Sequence, residues 1–247
     1  MKIQVATGYD KKQVLEIIDS FDEIGKTLSS KRNTIKVFQV GGEEWNIKSF
    51  KIPHLINKIA YRFFRKSKAQ RSFEYANFLL QHGVLTPKPI AYLEKHGSLG
   101  VEHSYYVSEN LQYDLSFREL INDKNYSDRE NILKQFTDFT FQLHEKGIHF
   151  LDHSPGNTLI VAKENQLYDF YLIDLNRMTF GTLNFDTRMQ NFSKLNMSPD
   201  MIAIISERYA TLYSKKYAVV HKKMTELCEA AAAQRAKKQA LKKKLGK

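Results

Sequence analysis

Three oxygen-bearing side chains stand where this sequence can do chemistry. The stretch Leu143 to Ile160 reads LHEKGIHFLDHSPGNTLI. A helix ends at a glycine, a short segment delivers Asp152, four residues intervene, Asn157 follows, and an apolar strand begins. A second carboxylate, Asp174, closes the next strand in Leu172-Ile173-Asp174-Leu175. A carboxylate can accept a proton or ligate a hard cation, and a carboxamide oxygen can ligate one as well. The spacing D-x-x-x-x-N recurs by chance. Joined to helix, glycine, strand, turn, strand and terminal aspartate, it becomes a much narrower pattern. The plainer use of the same residues is a turn closed by Asp152 and Asn157, with Asp174 capping a strand end.

The elements that must position these residues are legible in outline. Asn33 to Val40, the pair Gly41-Gly42, and Glu43 to Phe50 form a strand, tight turn and strand. Alternation on the second strand puts Asn46, Lys48 and Phe50 on one face and Lys51 on the other. Leu55, Ile59 and Phe63, with Ile56, Ala60 and Phe64, recur at helical spacing. Another helix is predicted over Lys68 to Gln81, stopping before Gly83. Thr86 to Pro89 is extended and leads to strands over Ile90 to Leu93 and Ser104 to Val107. A polar link, Ser108-Glu109-Asn110, follows. Ser116 to Asn122 reads as a short helix. Ser127 with Glu130 has the form of a capping box and opens a long helix that stops at Gly147. Strands over Thr158 to Ala162 and Tyr168 to Ile173 flank the turn Lys163 to Gln166. Beyond Asp186 the pattern is helical, with Ser198-Pro199 as a start signal. The expected fold class is therefore α+β: a β-rich lobe over residues 1–110 and a mainly helical lobe over 111–247, with a cleft between them as the natural ligand site.

Composition narrows the classes. The chain has 247 residues, of which 42% are hydrophobic and 26% charged, and this excludes a wholly disordered or fibrous chain. One cysteine, Cys228, excludes a disulfide framework and any multi-cysteine metal site. No apolar run is long enough to span a bilayer, and Met1 to Asp10 lacks the core of a secretory signal, so a cytoplasmic protein is expected. The formal charge of +11 suits an acidic partner. Between Lys48 and Arg71 stand eight basic residues and no acidic one. The alanine-rich tail from Glu229 carries Arg235, Lys237, Lys238, Lys242, Lys243, Lys244 and Lys247. It reads as a helical end that is either simply solvated or held against an anionic surface. His144 is read as helix-end packing, and His149 and His153 as loop residues without a complete metal-ligand set.

The joined pattern around Asp152, Asn157 and Asp174 resembles the protein-kinase-like superfamily. Phosphoryl transfer asks the protein for positioning and charge neutralisation rather than covalent chemistry. The resemblance implies that Asp152 accepts the proton of the attacking hydroxyl and that Asn157 and Asp174 ligate Mg²⁺ bridging the phosphates of ATP. Lys48 matches the lysine that holds those phosphates, with Lys51 as the other choice, and Glu74 is its expected helical partner. The departures are informative. Phe150-Leu151 stands where His-Arg is usual, Ser154 replaces a lysine, and Asp174-Leu175-Asn176 replaces Asp-Phe-Gly. Gly25 to Arg32 occupies the place of the glycine-rich loop. No Ala-Pro-Glu follows Asp174, and little room remains for a peptide platform.

Over residues 25–195 the sequence is most similar to lipopolysaccharide kinases of the Kdo/WaaP/InaA type. The similarity lies in Ile47 to Leu80, Thr86 to Pro89, FLDHSPGNTLI (Phe150 to Ile160) and LIDLNR (Leu172 to Arg177). It implies transfer of phosphate from ATP, with Mg²⁺, to a sugar hydroxyl of Kdo or heptose in the inner core of a Gram-negative lipopolysaccharide. It also implies an acceptor at the inner membrane, reached peripherally through basic segments, and no nucleic-acid partner. The alternatives are an atypical RIO-like protein kinase and a non-catalytic relative that only binds an acidic partner.

Overall fold

The computed structural model describes residues 1–30, 32–51, 66–98 and 100–244. By their contacts these form two units: Met1–Gln112 with Asp174–Asn176, and Tyr113–Ile173 with Arg177–Lys247.

The N-terminal unit is built on a six-stranded antiparallel sheet in the order β1-β5-β6-β4-β3-β2. Its strands are β1 (Lys2–Val5), β2 (Lys26–Ser29), β3 (Thr34–Val40), β4 (Glu43–Phe50), β5 (Pro89–Gly97) and β6 (Gly100–Glu109). The turn between β3 and β4 is the predicted one. Val40 pairs with Glu43, and Gly41 and Gly42 take φ of 59° and 88°, the left-handed pair that a two-residue turn requires. Alternation along β4 then sorts its side chains. Trp45 and Ile47 join a core with Val14 and Ile18 of helix α1 (Lys11–Asp19). Phe50 joins the opposite cluster, with Ala69 and Phe73 of helix α2 (Lys68–Gln81). The sheet therefore has a helix on each face, and Lys48 stands on the α2 face. Helix α2 has the predicted bounds. Ser67 caps it, and at its end the Gly83 amide bonds to Leu80 while Val84 bonds back to Leu79.

Several expectations are corrected here. Residues 26–29 are strand β2 rather than loop, because Gly25 at φ 93° lets the chain pass directly under the Phe38 ring. β1 and α1 carry no strong signal in the sequence; α1 is nine residues long and is capped by Asp10. The helix expected from Leu55 to Phe64 lies outside the described residues.

The C-terminal unit holds a three-stranded sheet, ordered β10-β9-β7, and a two-stranded one, β11-β8. Their strands are β7 (Leu115–Ser116), β8 (Ile148–Phe150), β9 (Thr158–Ala162), β10 (Tyr168–Leu172) and β11 (Met178–Phe180). Five helices pack around them: α3 (Phe117–Asn122), α4 (Arg129–Glu145), α5 (Phe185–Phe192), α6 (Pro199–Leu212) and α7 (Tyr217–Lys244). One core joins Phe117, Ile132, Phe136, Ile160, Phe192, Ile205, Tyr209 and Met224. Each such side chain taken fully out of water stabilises the fold by roughly 1.5–3 kcal/mol. Cys228 belongs to this core. Burial raises its thiol pKa to about 11, and it packs as a small apolar group.

The capping box expected from Ser127 and Glu130 is not formed. Glu130 instead holds Lys134 at 2.6 Å, and the cap position falls to Asp128 at φ 58°, with no side-chain cap bond. The Asp128 carboxylate is taken by Asn131 and by the Tyr168 hydroxyl. A capping box does form one helix earlier, where Ser116 and Glu119 exchange bonds at the start of α3.

Gly147 links α4 to β8, the strand that leads to Asp152. Its φ is +68°, and a Cβ there would lie 2.8 Å from the Gly181 carbonyl oxygen, which itself sits where Gly181 bonds back to Gly147. Gly147→Ala is expected to cost about 1–2 kcal/mol from backbone conformation alone, and more from this clash. Urea unfolding of the purified variant measures it, and an unchanged midpoint would contradict this account of the turn.

Candidate active site

In the N-terminal unit the structure brings together Lys48 and Asp174. The Lys48 ammonium donates to Asp174 Oδ1 at 2.7 Å, and Asn176 donates to the same oxygen at 2.5 Å. Lys48 is nearly buried, its side chain 14% exposed, and lies 5.3 Å above the Phe50 ring. Asp174 has φ 58°, an uncommon backbone for a residue with a side chain, and such conformations collect at functional positions. Lys51 takes no part. Its side chain is exposed, and among the described residues its amide donates to Asn33.

The expected Lys48–Glu74 pair is not formed. Glu74 accepts from Lys66 at 2.8 Å and from Gln70 at 2.8 Å, and Gln70 accepts from Lys2. Lys66 and Gln70 bracket the start of α2, so Glu74 ties the opening turn of its own helix rather than reaching β4. The sequence showed Glu74 as the sole acidic residue nearby; it did not show that Lys66 competes for it.

In the C-terminal unit the structure brings together Asp152 and Asn157. Their loop closes on itself: the Ser154 amide donates to the Asp152 carbonyl, the Asn157 amide to Ser154, and Asn157 Nδ2 to the Asp152 carbonyl at 2.8 Å. Arg177 holds the Asp152 carboxylate at 3.2 Å, and the Arg177 carbonyl accepts from the Leu151 amide. The Ile173 amide donates to the Asn157 carbonyl, so the residue before Asp174 is fixed to this loop. Among the described residues no group of three or more His, Cys, Asp or Glu is arranged to hold a metal ion.

Below the loop runs a buried polar network that the sequence did not reveal. Asn191 of α5 donates to the Phe150 carbonyl at 2.8 Å. Its Oδ1 faces His144 Nε2 at 3.2 Å and His153 Nδ1 at 3.1 Å. An amide oxygen only accepts, so both imidazoles donate to it. His144 Nδ1 is then the acceptor of the Tyr209 hydroxyl at 2.8 Å. Lys194 donates to the Leu151 carbonyl. His153 is a loop residue, as expected, but its side chain is buried, 0% exposed. Asn191 carries no signal in sequence, since a lone asparagine in a short helix reads as surface.

The comparisons with known proteins decide the family. The profile of the lipopolysaccharide kinase (Kdo/WaaP) family matches residues 16–217. The chain belongs to that family. Among solved structures it is similar to WaaP in complex with acyl carrier protein, at 14% identity and a TM-score of 0.67, covering 96% of this chain and 99% of that one. Weaker likenesses include the MAP kinase LmaMPK10 from Leishmania major (15% identity, TM-score 0.48, 87% of this chain and 66% of that one) and the PknI kinase domain of Mycobacterium tuberculosis (11%, 0.47, 82% and 94%). No curated protein matches the chain at a significant level. The fold is that of WaaP, with a β-rich N-terminal part and a helical C-terminal part. As a family member the chain is a lipopolysaccharide kinase, a phosphotransferase with an alcohol acceptor and ATP as donor. The protein-kinase and non-catalytic alternatives give way to this.

Both networked histidines are neutral. Burial lowers the pKa of His144 to about 3 and that of His153 to about 4, against the pull of their hydrogen bonds to Asn191. The unfolded chain therefore binds two protons near pH 6.5 that the folded chain refuses. Stability owes nothing to this above pH 7. It falls as pH drops below about 6.5, by up to about 1.4 kcal/mol per pH unit for each histidine. Urea midpoints between pH 7.5 and 5 are expected to show the decline, and His153→Gln to make it shallower. A flat profile would contradict the network.

Proposed function

We propose that this lipopolysaccharide kinase transfers the γ-phosphoryl group of ATP to a hydroxyl of Kdo or heptose in the inner core. In this reading residues 1–110 bind the nucleotide, and residues 111–247 carry the catalytic loop and basic tail. The observation that carries it is the Lys48–Asp174 bond, which joins the phosphate-binding lysine expected from β4 to the carboxylate expected beside the metal.

Asp152 is the base. Arg177 occupies one carboxylate oxygen and fixes the orientation of the group, and the other oxygen remains to take the proton of the attacking hydroxyl. Lys48 offers its ammonium to the phosphates. Asn157 and Asp174, each within its own unit, offer a hard oxygen of the kind Mg²⁺ takes, and Mg²⁺ needs few protein ligands. Asn157 uses its amide nitrogen on the Asp152 carbonyl and keeps Oδ1, and Asp174 keeps Oδ2 after Oδ1 accepts Lys48 and Asn176. Mg²⁺, where these residues held it, would supply neutralising charge to the transferring phosphoryl group. Glu74 has no part in this reading.

The acceptor is lipid-borne, and peripheral contact with the inner membrane belongs to the proposal. The residues of α7 beyond Arg235 are exposed and carry five lysines up to Lys244, which suits an anionic surface. No helix among the described residues is long and apolar enough to cross a membrane.

Incubation with ATP, Mg²⁺ and either Kdo–lipid A or heptosylated core, read by mass spectrometry, is expected to add one phosphate to a sugar. Asp152→Asn is expected to slow transfer by roughly 10²–10⁴-fold with little change in ATP affinity, and Asp174→Asn to abolish it. Wild-type protein that leaves every core acceptor unmodified would overturn the proposal.

A further inference from the structure

Lys48 and Arg71, the two ends of the basic stretch, are both charged neighbours of Lys68, and so is Asp174. Lys48 stands on the face of β4 that α2 covers. Lys68 opens α2 and is half-buried, and its charged neighbours are Arg32, Arg71, Lys48 and Asp174. Burial first, then Arg32 and Arg71, lower its pKa, and Asp174 opposes them. Arg71, three residues further along the helix, has a buried Nε without a hydrogen-bond partner among the described residues. Among the described residues none of Arg32, Lys68 and Arg71 forms an ion pair. Segment 52–65 cannot supply one to them, because no Asp or Glu occurs between Lys48 and Glu74. Glu74 itself is held by Lys66 and Gln70. Lys68 thus has three cations and one carboxylate as charged neighbours, and that carboxylate already bonds to Lys48 and Asn176.

Like charges gathered in a half-buried place repel one another, and a fold selected for stability alone would exchange one of them for a neutral residue. A polyanion removes the repulsion. A nucleoside triphosphate carries about as much negative charge as this cluster lacks, and charge-assisted bonds to phosphate oxygens are the strong kind.

We propose that Arg32, Lys68 and Arg71, with Lys48, form a cationic cradle for the polyphosphate chain of the nucleotide. This rests on the reading of the chain as an ATP-using kinase, and it assigns to side chains the grip that a glycine-rich loop supplies through its backbone. It also accounts for the helix facing β4 with Lys68 and Arg71 rather than with a carboxylate. The acceptor sugar is an anion too, and the test separates the two sources.

The experiment is calorimetric titration of full-length protein with ATP and with AMP in the presence of Mg²⁺, alongside steady-state kinetics. Lys68→Ala and Arg71→Ala are each expected to weaken ATP binding roughly tenfold, while AMP affinity stays within about twofold. Lys68→Arg is expected to restore most of the loss, which a purely structural role for that position would not predict. Lys51→Ala is expected to leave both affinities unchanged. If Arg71→Ala does not fold, Lys68→Ala and Arg71→Lys carry the test. Wild-type ATP affinity in the Lys68 and Arg71 variants would overturn the cradle and leave the kinase reading standing. A rise confined to the KM of the sugar acceptor would also overturn it, by assigning the cations to the acceptor. Failure of the wild-type protein to bind ATP would overturn both.

Discussion

An ammonium group taken largely out of water needs a counter-charge, and for Lys48 that charge is Asp174. The constraint reaches far along the chain. Lys48 has to leave β4 on the α2 face, which fixes the register of the β3–β4 turn, since a slip of one residue would send the lysine to the opposite side. Asp174 has to follow the end of β10 with a left-handed backbone. Residues 174–176 then count by their contacts with the N-terminal unit, although the chain on both sides of them belongs to the other unit. The residue before them is tied by its amide to Asn157. One ion pair and one backbone bond therefore bracket the carboxylate.

The catalytic loop is fixed by a different means. Asp152 needs freedom at one oxygen and rigidity everywhere else. Arg177 grips its carboxylate, and the main chain on either side is held by Asn191, Lys194 and the turn that Asn157 closes. Beneath lie two neutral imidazoles that share one amide oxygen. Such a network is strong only when every member keeps its proton in place. Its sensitivity to acid follows from the same burial that makes it rigid.

The sequence made the helical boundaries and the catalytic pattern legible because they rest on local chemistry. Gly83 marks the end of α2, the two glycines mark the β3–β4 turn, and Gly147 marks the end of α4. Alternation on β4 places Lys48 and Lys51 on opposite faces from sequence alone. The misses lie where tertiary competition decides. Ser127 and Glu130 have the letters of a capping box, but Lys134 and Tyr168 draw the carboxylates elsewhere. Glu74 sits on the right helix, yet Lys66 and Gln70 claim it. Strand β2 is polar and short, and its pairing with β3 is its only structural mark. His153 and Asn191 look like surface residues, because burial of a polar group is visible only once its partners are assembled.

The central claim is that Asp174 serves the nucleotide's metal as well as Lys48. Electron paramagnetic resonance of Mn²⁺ in place of Mg²⁺ tests this most directly. The account predicts that wild-type protein takes up Mn²⁺ tightly only when ATP is present, and that Asp174→Asn loses this uptake. Undiminished ATP-dependent Mn²⁺ binding by the Asp174→Asn protein would contradict it.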